Sequence, residues 1–164
     1  MKTRKISSVI VLVIAFLGFS VLTTGCSTDP CEDVVCLNNG VPTEDGDDCF
    51  CACPSGYEGE DCGVEWTTKF LGTYSGNDDC GFTYESTFTK DDFNKLRVSN
   101  AGGFQVSITA DLTSSTAFNI PNQTDASGRV WSGNGTISAS TITLNYVVTF
   151  SDGTSDSCSV TYTK

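Results

Sequence analysis

Phe104-Gln105-Val106-Ser107-Ile108-Thr109-Ala110-Asp111-Leu112 places an apolar residue at every second position and a polar one between. Side chains of a strand point alternately to opposite faces, so this stretch reads as a strand with one face on a core and one in water. The same alternation recurs elsewhere. Phe82, Tyr84, Ser86 and Phe88 oppose Thr83, Glu85, Thr87 and Thr89. Ile142, Leu144, Tyr146, Val148 and Phe150 alternate with mostly polar neighbours, as do Cys158, Val160 and Tyr162. Weaker strand patterns lie near 69–75, 93–99, 116–120 and 129–138. Turn-forming residues at 76–79, 100–103, 133–135 and 151–153 punctuate the runs. Hairpins joined in sequence fit this spacing, and no helical period of useful length appears. Residues 66–164 are therefore expected to form an antiparallel β-meander of about seven or eight strands, as a barrel or a sandwich.

The other end of the chain carries a different signal. Lys2, Arg4 and Lys5 precede an apolar run from Val9 to Leu22. A basic segment followed by a short apolar one is the pattern of a secretory signal, and the run is short of the ~20 residues that a membrane-spanning helix needs. It ends in Leu22-Thr23-Thr24-Gly25-Cys26. This ending resembles the lipobox of bacterial lipoproteins, although Thr23 stands where that motif usually has Leu. The resemblance implies cleavage after residue 25, acylation of Cys26 (a palmitate-type anchor) and a tether over 26–30. Two or more acyl chains hold a protein stably on a bilayer where one does so only marginally. Ser27 after the cysteine is similar to lipoproteins sorted to an outer membrane. Acidic Asp29, Glu32 and Asp33 resemble surface-export signals of Bacteroidota lipoproteins. Cell-surface and periplasmic orientations both stay open.

Nine cysteines is an odd count, which in a secreted chain needs an explanation. Acylation of Cys26 leaves eight, enough for four bridges in an oxidising compartment. Zinc is the rival reading of closely spaced cysteines, and a chain with no His behind a secretory signal disfavours it. Six of the eight are Cys31, Cys36, Cys49, Cys51, Cys53 and Cys62, with Cys36-Leu37-Asn38-Asn39-Gly40 among them. The last of them close the segment Cys51-Ala52-Cys53-Pro54-Ser55-Gly56-Tyr57-Glu58-Gly59-Glu60-Asp61-Cys62. This segment resembles the EGF-like domain, which places such a module at 31–62. So small a unit cannot bury enough surface to hold itself, and bridges take over. The resemblance implies pairs Cys31–Cys49, Cys36–Cys51 and Cys53–Cys62. Cys49 stands further from the Asn-Gly segment than the family pattern has it, so the pairing among Cys31, Cys36, Cys49 and Cys51 stays open here. Cys80 and Cys158 remain as a fourth pair that would tie the beginning of the meander to its end.

Charge narrows the functional classes. Residues 26–164 carry six Lys and Arg against 20 Asp and Glu, a net charge of −14. Such a chain is repelled by nucleic acid and by anionic head groups, so no nucleic-acid partner is expected. Without His the commonest general base and metal ligand are missing. No catalytic constellation, metal site or cofactor is expected, and the chain is read as a non-enzyme. Between Cys26 and Trp66 lie 11 acidic residues and no basic ones. Asp45, Asp47 and Asp48 beside Gly46 read as a solvated loop rather than a calcium site. The acidic stretch is either a solubilising spacer or a docking face for a protein or glycan partner. Trp66 and Trp131 could stack on sugars, though packing against a core or a domain junction is the commoner role.

The span from Lys69-Phe70-Leu71-Gly72-Thr73-Tyr74 to Thr161-Tyr162-Thr163-Lys164 looks like the C-terminal domain of small Bacteroidota lipoproteins that carry an EGF-like module in front. Its Gly-x-Tyr start also resembles lipocalin-like barrels. Two functions follow as expectations. The first is an envelope-anchored structural or interaction module. The second is a carrier holding a small apolar ligand inside the β domain.

Overall fold

The computed structural model describes residues 29–164. The expected signal segment and the expected acylation site Cys26 lie outside the described residues.

The C-terminal part is a closed barrel of eight antiparallel strands: β5 (Gly72–Asp78), β6 (Thr83–Asp92), β7 (Lys95–Ser99), β8 (Ser107–Ser114), β9 (Ala117–Thr124), β10 (Val130–Ser138), β11 (Thr141–Thr149) and β12 (Ser155–Thr163). Each strand pairs with its sequence neighbour, and β12 returns to β5 to close the wall. Closure leaves no open sheet edge, which decides barrel over sandwich. The closing seam is short. Only four residue pairs join β12 to β5, from Val160↔Asp78 to Thr163↔Ser75, against nine between β10 and β11.

Inward positions are those the alternation marks. Ile108, Ala110 and Leu112 are buried on β8, and Ile142, Leu144, Tyr146 and Val148 on β11. Cys158, Val160 and Tyr162 are buried on β12. Trp131, Tyr74, Tyr162, Phe70, Phe88 and Phe118 are the largest side chains sealed inside. Each large apolar side chain buried this way stabilises the fold by about 1.5–3 kcal/mol. The rings meet edge-on, as in Phe88–Tyr162 at 5.4 Å and Phe70–Phe118 at 5.7 Å, the geometry that aromatic quadrupoles favour.

Three local expectations change. Phe104 and Val106 lie outside β8, because residues 101–103 form a 3-10 turn and Gln105 adopts a positive φ of 58°. Gly76, Asn77 and Asp78 continue β5, and the reversal falls at 79–82. Gly133-Asn134-Gly135 is not a turn but the middle of β10. The two glycines face inward, where a Cβ on Gly133 would sit 2.4 Å from the Asn145 carbonyl and one on Gly135 2.2 Å from the Phe118 ring. Their composition answers to close packing, not to chain reversal.

The cysteine-rich part holds two small hairpins, β1 (Val41–Asp45) with β2 (Asp48–Ala52) and β3 (Tyr57–Glu58) with β4 (Val64–Glu65). Bridges join Cys31–Cys49, Cys36–Cys51 and Cys53–Cys62, and Cys80–Cys158 spans the barrel. The position of Cys49 has a simple cause. Cys49 and Cys51 are two apart on β2, so both project to the same side, while Phe50 between them is half exposed.

The two parts meet at the barrel end that holds the β6–β7 hairpin. Lys69 pairs with Glu58 at 2.6 Å and Lys90 with Glu65 at 2.6 Å. The Tyr57 and Phe93 rings lie 5.4 Å apart. Gly56 has a φ of +98°, and a Cβ there would be 2.5 Å from both Asn94 Oδ1 and the Phe93 ring. Strand alternation puts the β5–β6, β7–β8, β9–β10 and β11–β12 connections at the opposite end. The N-terminal side of the chain and those four connections therefore sit at opposite poles.

Candidate functional site

The distal pole is filled by polar aromatics rather than left hollow. The Tyr146 hydroxyl donates to Asp78 Oδ2 at 3.3 Å, and Asp78 Oδ1 accepts the Phe82 backbone N–H at 2.8 Å. Ser86 Oγ and the Tyr162 hydroxyl share a hydrogen bond of 3.2 Å. The Tyr84 hydroxyl is sealed from solvent without a hydrogen-bond partner, although it lies near enough to Tyr146 and Tyr162 to be perturbed by them. Burial is the main reason that all three phenols ionise less readily than usual; it pushes Tyr146 up to about 12 and Tyr84 further still. All three are neutral across the physiological range, and those of Tyr146 and Tyr162 are hydrogen-bonded. The recess beside them, between Tyr84, Gly102, Gly103 and Phe104, holds about 180 Å³. That is below the roughly 300–1,000 Å³ of ordinary small-molecule sites.

Nearby, Asp125 organises the β9–β10 connection. Its buried carboxylate accepts Trp131 Nε1 and Arg129 Nε at 2.8 Å each, and the backbone N–H of Ser127 at 2.7 Å. Burial alone would raise this carboxyl. The hydrogen bonds from Trp131, from the Arg129 side chain and from the backbone of Arg129 and Ser127 outweigh it and hold the carboxyl at about 2. Arg129 also stacks 4.5 Å above the Phe104 ring. This is a structural latch. It fixes Trp131, which is 1% exposed and so presents no face for stacking on a sugar. Trp66 packs at the junction with the cysteine-rich part.

A broad concave feature lies on the outer wall, a groove of about 630 Å³ running across β8 to β12. Its floor is the backbone around Ile120, Gly133 and Tyr146. β10 can sit deep here because its two inward glycines leave no side chain between it and the core, and a register shift between Trp131 and Gly133 bends the strand. The groove carries a row of polar side chains in cross-strand register. Asp111 faces Asn119, Asn119 faces Asn134, and Asn134 faces Asn145. Ser132, Thr113 and Ser157 flank them. The three asparagines are exposed, and among the described residues none of their amides is hydrogen-bonded within the protein. At one margin Lys95 pairs with Asp111 at 2.9 Å, and that contact holds its ammonium above the ordinary lysine range. A smaller hollow of about 340 Å³ lies at the junction end beside Lys69, Thr116, Ile137 and Ala139.

The residues singled out by sequence are thus scattered in role. The eight paired cysteines are bridges that hold the frame. Asp45, Asp47 and Asp48 sit at the exposed β1–β2 hairpin. The groove residues Asp111, Asn119, Asn134 and Asn145 were not candidates. The one local signal for them, Gly133-Asn134-Gly135, reads as a turn when taken alone.

No family model matches the chain.

Proposed function

We propose that the protein is an envelope-anchored interaction module. Acylated Cys26 holds the N-terminus at the bilayer, the EGF-like part is a rigid acidic stalk, and the barrel presents its grooved wall to a partner. The observation that carries this reading is the contrast between inside and outside. The interior is packed with side chains, while a hollow of about 630 Å³ opens on the outer wall of β8 to β12. A carrier needs the reverse arrangement. The stalk's paired contacts with the barrel keep the groove in a fixed orientation to the stalk, and the stalk's negative charge holds the barrel off an anionic surface.

The test uses residues 27–164, which contain every described strand and bridge and no lipid-bearing cysteine. They are mixed with envelopes of the producing bacterium, and the bound fraction is measured against concentration. Saturable retention that is lost in Asn134→Arg/Asn145→Arg, and kept when Thr89→Arg is placed on the opposite wall, is the expected result. Retention that ignores both groove substitutions would reject the reading.

A further inference from the structure

The groove also has a chemistry that selects its ligand. We infer that it binds a neutral oligosaccharide laid across strands β8 to β11, with the amides of Asn119, Asn134 and Asn145 gripping successive hydroxyl groups. This rests on the proposal that the grooved wall is the binding face, and adds the class of ligand.

Three observations support it. The first is spacing. Adjacent strands lie ~4.8 Å apart, so residues in direct register across three strands form an evenly stepped row, close to the repeat of one sugar ring. The second is the donor and acceptor set. Each asparagine amide has one oxygen that accepts and one nitrogen that donates two hydrogens, so it can meet a sugar hydroxyl in either sense. All three are exposed and uncommitted among the described residues, and the hydroxyls of Ser132, Thr113 and Ser157 extend the set. The third is what the groove lacks. Protein interfaces draw their affinity from buried Trp, Tyr and Arg anchors. Here Tyr146 contributes only from beneath, at 3% exposure, and no Trp or Arg lines the hollow. Anionic polymers are disfavoured by the chain's charge, and Lys95 at the margin is already paired with Asp111. A ligand that is uncharged, rich in hydroxyls and extended fits what remains.

Without an aromatic platform the complex is weak, so the assay must tolerate millimolar ligand. The oxidised full chain, in a detergent without a sugar head group, is titrated with uncharged hexasaccharides of the glucan, xylan, mannan and galactan types. Backbone amide shifts are followed by NMR. The expected result is saturable shifts at 111–113, 119–121, 132–134 and 145–147 with at least one of these probes. Binding should weaken at least tenfold in Asn134→Ala/Asn145→Ala and stay unchanged in Thr89→Ala. Both substituted asparagines are exposed, so the variant keeps its fold, which its unperturbed remaining spectrum verifies. Absence of shifts with every neutral probe overturns the inference. If groove-dependent envelope retention persists in that case, the partner is a protein or another polymer, and the binding face stands without the sugar. If that retention is also absent, both readings fail.

Discussion

Breaking the Cys80–Cys158 bridge should cost the barrel about as much stability as its larger core truncations. The bridge joins residues 78 apart in sequence. In the loop-entropy treatment, releasing such a loop raises the entropy of the unfolded chain enough to destabilise the native state by about 4.5 kcal/mol at 25 °C. It also lies at a short seam of the wall, where four residue pairs join β12 to β5. The seam has independent fastening beside the bridge. Asp79 N–H donates to the Ser159 carbonyl at 3.0 Å, and Asp79 Oδ1 accepts Ser159 N–H at 2.7 Å. The native structure should therefore survive in Cys80→Ala/Cys158→Ala, with the loss expressed as easier unfolding. For a domain of this size each kcal/mol moves the midpoint by about 4–8 °C, which gives a fall of roughly 18–36 °C. The assay is thermal unfolding followed by Trp131 fluorescence in a Trp66→Phe background, so that the reporter lies within the barrel. A fall under about 5 °C would refute the reasoning, because it would mean that the unfolded chain is already restrained without the bridge.

Three further outcomes are expected. The Asp125 carboxyl is held at about 2, below the unfolded value near 3.9, so its contribution is present above pH ~4 and is lost as pH falls toward 2. Wild type should therefore lose more stability than Asp125→Asn between those two pH values in parallel denaturant titrations, and equal losses would contradict the latch. Gly133→Ala would push a methyl to 2.4 Å from the Asn145 carbonyl, a backbone atom that cannot turn aside; a loss of about 1–3 kcal/mol in denaturant midpoint analysis is expected, with the groove distorted. Gly56→Ala combines a disallowed positive φ with contact on Asn94 and Phe93. It should loosen the stalk from the barrel while leaving barrel stability unchanged, seen as a larger radius of gyration in solution scattering; an unaltered radius would argue against a rigid junction.

The fold was legible to the extent that periodicity reports burial. Runs such as 142–150 alternate because one face of β11 touches only core, and the eight cysteines after Cys26 announce their own bridging by number. Barrel against sandwich was not legible, because it depends on whether β12 meets β5, a contact between strands that are 82 residues apart where Val160 pairs with Asp78 and unmarked by any local pattern. The groove was hidden for a related reason. Asn119, Asn134 and Asn145 are ordinary outward-facing polar residues one by one, and only strand register sets them in a row. Gly133 and Gly135 misled because a glycine required for close approach of backbones looks the same in sequence as one required for a turn. Trp131 shows the converse. Its aromatic ring suggests a ligand platform until Asp125 is seen to anchor its indole N–H inside the wall.

The central claim is that the outer wall of β8 to β12, not the barrel interior or the acidic stalk, is the working surface. It is tested most directly by mapping backbone amide shifts when residues 27–164 meet solubilised surface material from the cells that produce the protein. The account predicts perturbation at 111–113, 119–121, 132–134 and 145–147, with the pole around Tyr84 and Phe104 and the hairpin at 44–48 unaffected. Perturbation centred on Tyr84, Phe104 and Trp131 would contradict it in favour of a carried ligand, and perturbation centred on 44–48 would move the docking face to the stalk.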